Sequence, residues 1–252
     1  MRILEKAEIG GLPLANRIIM APMTRSRANE NGIVSELASI YYSQRAGAGL
    51  IISEAINISE QGVGMPNTPG IFSGEQVAAW QKVTTAVHAA GGKIFAQLNH
   101  SGRTAHSLNR KGRLPVAPSA IAIVNQQAYT PQGMKDYETP IDLTTLDVKQ
   151  VIRDYRFAAG NAMKAGFDGV ELHSALGYLP NQFLVESANQ RTDEYGGSVE
   201  NRSRFVLEVT RELLDITGEG RTGIKLSPSI ALNNMLDSNP VGLYSHLITE
   251  LN

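Results

Sequence analysis

Between Asp168 and Leu184 the chain reads Asp-Gly-Val-Glu-Leu-His-Ser-Ala-Leu-Gly-Tyr-Leu-Pro-Asn-Gln-Phe-Leu. A short apolar strand, Gly169 to Leu172, runs directly into an imidazole, His173, and a phenol, Tyr178, follows five residues later. An imidazole can hold or move a proton near neutral pH, and a phenol can donate one when placed within hydrogen-bond reach. The end of a parallel strand is a rigid mount for such groups, and the loop beyond is free to carry function. Other strand ends offer related groups: Pro22-Met23-Thr24, Glu54-Ala55, Gln97 to His100 and Lys225 to Pro228. Together they supply a hydroxyl, an amide, two imidazoles, a phenol and an amine. Glu54 is the only carboxylate expected near them, so no cluster suits a hard metal. His100, His106 and His173 fit no common zinc spacing, and no serine sits in a Gly-x-Ser-x-Gly elbow. Donors without a metal suit a redox cofactor that brings its own chemistry.

The elements that must hold these groups alternate. Strand-like runs are expected at Arg17–Ala21, Gly49–Ser53, Lys93–Gln97, Gly169–Leu172 and Thr222–Leu226. Helical patterns stand between them. The first runs from Ser35 to Ala46, with Leu37, Ile40 and Tyr41 as its apolar face. The second has a Ser73/Gln76 capping box and the stripe Val77, Trp80, Val83 and Val87. The third has a Thr144/Asp147 cap and a stripe from Val148 to Met163. The fourth starts at Ser198, with Phe205, Val206, Val209 and Leu213 inward. A fifth spans Val241–Leu251. Strands alternating with helices of this length imply parallel βαβ units, hence a doubly wound sheet or a (β/α) barrel. No Gly-x-Gly-x-x-Gly opens the first helix, which argues against a dinucleotide-binding doubly wound sheet. The stretch 99–143 carries Pro115, Pro118, Pro131 and Pro140 and reads as a lid or small subdomain.

The 252 residues suffice for one large domain. A net charge of −1 with interspersed signs leaves no basic face for nucleic acid. Zero cysteines exclude disulfides, thiolate catalysis and cysteine-held metals, and fit a cytoplasmic protein. No apolar run reaches membrane-spanning length, and the first residues lack a signal-peptide core.

Six stretches carry a family resemblance. They are Asn16-Arg-Ile-Ile-Met-Ala-Pro-Met-Thr-Arg25, Leu50-Ile-Ile-Ser-Glu-Ala55, Gln97-Leu-Asn-His-Ser-Gly-Arg103, Ala117-Pro-Ser-Ala120, the 168–184 segment, and Asn189-Gln-Arg-Thr-Asp-Glu-Tyr-Gly-Gly-Ser-Val-Glu-Asn-Arg202. In order and spacing the chain resembles the Old Yellow Enzymes, FMN-dependent ene-reductases on a (β/α)8 TIM barrel. The resemblance implies an α/β fold, here about the first five β/α units of such a barrel, forming a single incomplete domain over 1–252. It implies that Pro22, Met23 and Thr24 pack against and hydrogen-bond the flavin ring. Ala55 would lie against that ring, Gln97 would bond its pyrimidine edge, and Lys225 would stand near N1 and O2. His173 would hold a substrate oxygen, and Tyr178 would give a proton to the α-carbon. The cofactors implied are FMN, with NAD(P)H as reductant, and the substrate is a small α,β-unsaturated carbonyl or similar compound. The Arg191-Thr-Asp-Glu-Tyr-Gly-Gly stretch is expected to be structural.

Departures from the family cluster around the same ligand. Where the family has His-x-x-Asn or His-x-x-His, this chain has His173-Ser-Ala-Leu176, and leucine offers no donor. Lys225 replaces an arginine and loses its planar fork. Asn99 stands where many relatives have an aromatic residue. The chain is also shorter than the family, with about five β/α units. An unclosed barrel wall has two exposed edges; a homo-oligomer or a complementing chain would cover them, a shortened member with an altered fold is an equal alternative, and a fragment of a longer chain is a third. A competing reading follows: a flavin-poor or diverged member, whether a pseudoenzyme, an isomerase or cyclase reusing the pocket, or a subunit completed by a partner.

Overall fold

The computed structural model describes residues 2–252. An N-terminal hairpin, β1 (Ala7–Ile9) and β2 (Leu12–Leu14), precedes a two-residue strand, β3 (Ile19–Met20). Then come α1 (Leu37–Ser43), β4 (Leu50–Asn57), α2 (Gly74–Ala89) and β5 (Ile94–Asn99). The excursion holds β6 (Val116–Ala117), β7 (Gln127–Thr130), β8 (Gly133–Asp136) and β9 (Ile141–Asp142). The chain continues through α3 (Thr145–Lys164), β10 (Gly169–Ser174), α4 (Leu179–Leu184), α5 (Val199–Thr217), β11 (Thr222–Leu226) and α6 (Pro240–Leu251).

Strands β3, β4, β5, β10 and β11 lie side by side in that order, and every pairing is parallel. They form part of a barrel wall. Its outer face carries Ile51, Ile56, Ile94, Ala96, Leu98, Val170 and Leu172 into a shared core with the helices. Trp80 of α2, Tyr155 of α3 and Phe205 of α5 are fully buried there. The inner face begins with Leu50, Ile52 and Phe95, which pack against Leu12 and Leu14 of the hairpin. The hairpin therefore plugs the N-terminal end of the wall. Its turn depends on glycine: a Cβ on Gly10 would lie 2.2 Å from the Gly220 Cα, just before β11.

One bulge decides what reaches the other end. Ile52 pairs with Phe95, but Ala55 pairs with Gln97, so three steps along β4 match two along β5. A bulge of this kind re-aims side chains. Before it Leu50 and Ile52 face inward; after it Ala55 and Asn57 do. The Ser53 hydroxyl repairs the ladder by accepting from the Gln97 N–H at 3.1 Å.

Both expected capping boxes form, at Ser73/Gln76 and Thr144/Asp147. Ser198 caps α5 by accepting from the Asn201 N–H. The first helix differs from expectation. It buries Ala38 and Tyr42, and it leaves Leu37 63% and Ile40 56% exposed. Tyr42 sets its phase, because its hydroxyl accepts the N–H that the bulge frees at Glu54, at 2.9 Å. The strand expected at Arg17–Ala21 shrinks to Ile19–Met20, and the hairpin and α4 have no counterpart in the sequence reading. As expected of an unclosed wall, β3 and β11 each pair on one side only among the described residues.

A tight turn joins β10 to α4. Leu176 and Gly177 both have positive φ, 59° and 82°, and the Tyr178 N–H donates to the Ala175 carbonyl at 3.2 Å. That is the pattern of a type I′ turn, which favours Asn-Gly. Four side chains from three places hold it. Gln182 donates to the Gly177 carbonyl (2.6 Å), Asn181 accepts the Gly177 N–H (2.9 Å), Ser227 accepts the Leu176 N–H (2.9 Å), and Asn233 donates to the Leu176 carbonyl (2.7 Å). Arg103 is buried without a carboxylate and donates to the carbonyls of Ile121 and Asn233, tying the excursion to the same loop. Arg191 ties the excursion's far end. It donates to the carbonyls of Pro118 and Leu143 and to the Asp193 carboxylate, which bears out a structural role for that stretch.

Two predictions follow from these contacts. Leucine is a poor residue for φ near 60°, at a cost of about 1–2 kcal/mol. Leu176→Asn should therefore raise stability by about 1 kcal/mol, read as a higher urea midpoint at unchanged slope. Arg191's hydrogen bonds, working against burial, hold the Asp193 carboxyl down at about 2. A depressed carboxylate stabilises fully above its unfolded pKa, and that contribution is lost as pH falls through the folded one. The melting temperature should drop between about pH 4 and about pH 2. Asp193→Asn should flatten that drop and cost about 1 kcal/mol near neutral pH, allowing for a carboxylate one-third exposed.

Candidate active site

The site lies at the C-terminal end of the wall. Register brings Ala55 beside Gln97, Gln97 beside Glu171 and Glu171 beside Gly223, one row across four strands. Above it His173 stands beside Lys225. Thr24, Ala55, Asn57, Asn99, Ser101 and Tyr178 line one small cleft at the same end. The expected Thr24, Ala55 and Tyr178 thus meet. Gln97 and His173 are buried, Leu176 and Lys225 are half-buried, and Pro22 and Met23 follow β3, with Met23 largely open.

His173 and Tyr178 are partners. Their rings meet edge to face with centroids 4.5 Å apart. The type I′ turn makes this contact possible by folding residue 178 back over the end of its own strand. Burial, and then the Lys225 charge, hold the His173 imidazole down at about 3, so it is neutral at physiological pH. A neutral imidazole donates through one nitrogen only. Burial, and then neighbouring Tyr137, push the Tyr178 phenol above its ordinary range, so it keeps its proton. Tyr137 belongs to the excursion, which therefore reaches the mouth.

The expectation about carboxylates needs correction. Glu54 does not serve the mouth. It sits on the bulge, where its carboxylate accepts from the Arg25 N–H at 3.0 Å and lies near the Tyr42 hydroxyl. Glu171 is the carboxylate of the inner face, and it accepts from Gln97 Nε2 at 2.7 Å. Burial pushes its pKa up, while the Gln97 hydrogen bond and the Lys225 charge pull it back. The signal for Glu171 was in the sequence: the alternation that turns His173 inward also turns in the residue two before it.

Two buried polar atoms here lack a partner, His173 Nδ1 and Asn99 Oδ1. A buried polar atom without a hydrogen bond is costly, so such atoms point to a ligand or water that satisfies them. With the Gln97 amide, the Lys225 ammonium, the Thr24 hydroxyl and the small Ala55, they suit a flat heterocycle bearing carbonyls and N–H groups. The residues present fit a flavin ring. Among the described residues no group of three or more His, Asp or Glu could hold a metal ion.

Comparison with known proteins agrees. The chain matches the NADH:flavin oxidoreductase / NADH oxidase family over residues 3–251. It is 42% identical over 252 residues to 12-oxophytodienoate reductase 1 of Oryza sativa subsp. japonica, covering 99% of this chain and 65% of that protein. It is 41% identical over 255 residues to a probable flavin mononucleotide-dependent alkene reductase of Leishmania infantum, covering 99% and 70%. The solved structure of an old yellow enzyme homologue from Zymomonas mobilis superposes with a TM-score of 0.96 at 43% identity, over 100% of this chain and 70% of that one. The chain thus spans about two thirds of the length of these relatives. Its parallel wall is part of the same (β/α) barrel. A match along nearly its whole length places the chain in the NADH:flavin oxidoreductase / NADH oxidase family.

Proposed function

We propose that this site reduces an activated carbon–carbon double bond, with FMN as cofactor and NAD(P)H as reductant. The carrying observation is the His173–Tyr178 pair set above the Thr24–Ala55 cleft. Neutral His173 donates a hydrogen bond to the substrate's carbonyl or nitro oxygen and draws charge toward it. Tyr178, protonated and placed beside His173, gives its proton to the α-carbon and is recharged from solvent. FMN supplies, when bound, the hydride that passes from NAD(P)H to the β-carbon. Gln97 and Lys225 would hold the ring's pyrimidine side, Thr24 would bond its edge, and Ala55 with Pro22 and Met23 would give it a close backbone surface. The oxygen clamp has one donor instead of two, because Leu176 offers none. Its place in the turn also takes its backbone N–H out of play, since Ser227 accepts it.

Leu176 is also what favours the second reading, a diverged member whose pocket no longer reduces enones. The exposed Ile19 on β3 supports pairing of that edge with another strand, from a second copy or a complementing segment. A cysteine-free composition suits work in the cytoplasm.

The decisive comparison is anaerobic and splits the reaction in two. Tyr178→Phe should leave flavin reduction by NADPH within about twofold and slow reoxidation by cyclohexenone about a hundredfold or more. Equal slowing of both halves would contradict the proton-donor role. Leu176→Asn should restore the second donor and speed enone reduction by about 10²-fold. No gain in that variant, with FMN bound, would favour the diverged member.

A further inference from the structure

We propose that Glu171 is a positioning residue for the cofactor: by accepting from Gln97 Nε2, it fixes which face of that amide meets the flavin's pyrimidine edge. The inference rests on the flavin reading above.

Gln97 is 2% exposed, and the bond to Glu171 Oε1, at 2.7 Å, is the one hydrogen bond its side chain makes among the described residues. A primary amide with nothing to choose its orientation presents either its oxygen or its NH2 group. An ionised carboxylate can only accept. Glu171 therefore claims an N–H and leaves the Gln97 oxygen free to accept from the ring's imide N–H. The register enforces the meeting, since Glu171 and Gln97 are direct neighbours in the parallel ladder. On the other side Glu171 pairs with Gly223 of β11. Lys225, two residues beyond Gly223 on the same face, favours the ionised form of this half-buried carboxyl against the effect of burial. Glu54, the one carboxylate the sequence leads one to expect here, cannot substitute, because the bulge turns it to Arg25 and Tyr42.

Glu171 thus acts through Gln97 and does not itself touch the cofactor, which gives a distinctive test. FMN binding is read by quenching of its fluorescence, and the probe for orientation is 3-methyl-FMN, in which the imide N–H is lost. The unsubstituted 252-residue chain should prefer FMN over the methylated analogue by about tenfold. Glu171→Leu should weaken FMN about tenfold and erase that preference. Glu171→Gln can donate as well as accept, so it no longer dictates the face of the Gln97 amide and should lose most of that preference too. The double variant Gln97→Ala/Glu171→Leu should bind FMN no more weakly than Gln97→Ala alone, because the second change has nothing left to orient. Circular dichroism monitors folding, and Glu171→Ala replaces the leucine variant if that one does not fold. A leucine or alanine variant that still prefers FMN overturns the proposal, and so do additive losses in the double variant. A chain that binds no FMN before any substitution overturns the flavin reading, and this proposal with it.

Discussion

Two successive residues in the left-handed region, Leu176 and Gly177, hold this site together. Without that reversal Tyr178 would run on beyond the strand end, away from His173. The turn is unfavourable in isolation, since one of its residues is a leucine. It persists because groups from β11's loop, from α4 and from the 233 loop satisfy its backbone. Gln182 also donates to the Ser101 carbonyl and accepts from the Arg103 N–H, so the same side chain joins β5's loop to the turn. The His173–Tyr178 pair is therefore as rigid as the contacts among three loops, and Arg103 extends those contacts to the excursion.

The strands supply the second constraint. Parallel pairing puts a residue from each strand in one row, and the β4 bulge brings Ala55 into step with Gln97. Apolar side chains close the lower row, where the hairpin plugs the wall. Above it Gln97 and Glu171 stand between Ala55 and Gly223, and His173 beside Lys225 comes next. Burial then separates the ionisable groups by sign. It suppresses the charge on His173 and the ionisation of Tyr178, leaving one neutral acceptor-donor and one proton source. Lys225 adds to the effect on His173 while it favours the ionised form of Glu171. This difference between neighbouring groups makes the mouth suited to delivering a proton beside a hydride acceptor.

Much of the fold was legible because it rests on local signals. Capping boxes at Ser73 and Thr144 depend on residues three apart, and both formed. The long stripes of α3 and α5 matched their buried faces because many positions vote on one phase. The seven-residue α1 had too few, and a single tertiary contact, Tyr42 to the bulge, turned it. The bulge itself leaves no mark in Leu50–Ala55, because it is a property of two strands in register. Hence Glu54 was expected inward and Glu171 was overlooked. Ala55, Gln97, His173 and Lys225 stand at one end because parallel strands must present their ends together, and Glu54 is the exception. Leu176 read as a missing donor; only the backbone shows that it is also a residue out of its conformational preference.

The most direct measurement is a visible spectrum of the chain, loaded with FMN and desalted, then mixed anaerobically with NADPH. The account predicts a yellow protein whose flavin band survives desalting, bleaches with NADPH and returns on adding an enone. A colourless eluate would contradict the assignment of Thr24, Ala55, Gln97 and Lys225 to a flavin ring. A yellow protein that bleaches but is not reoxidised by any enone would contradict the role given to His173 and Tyr178.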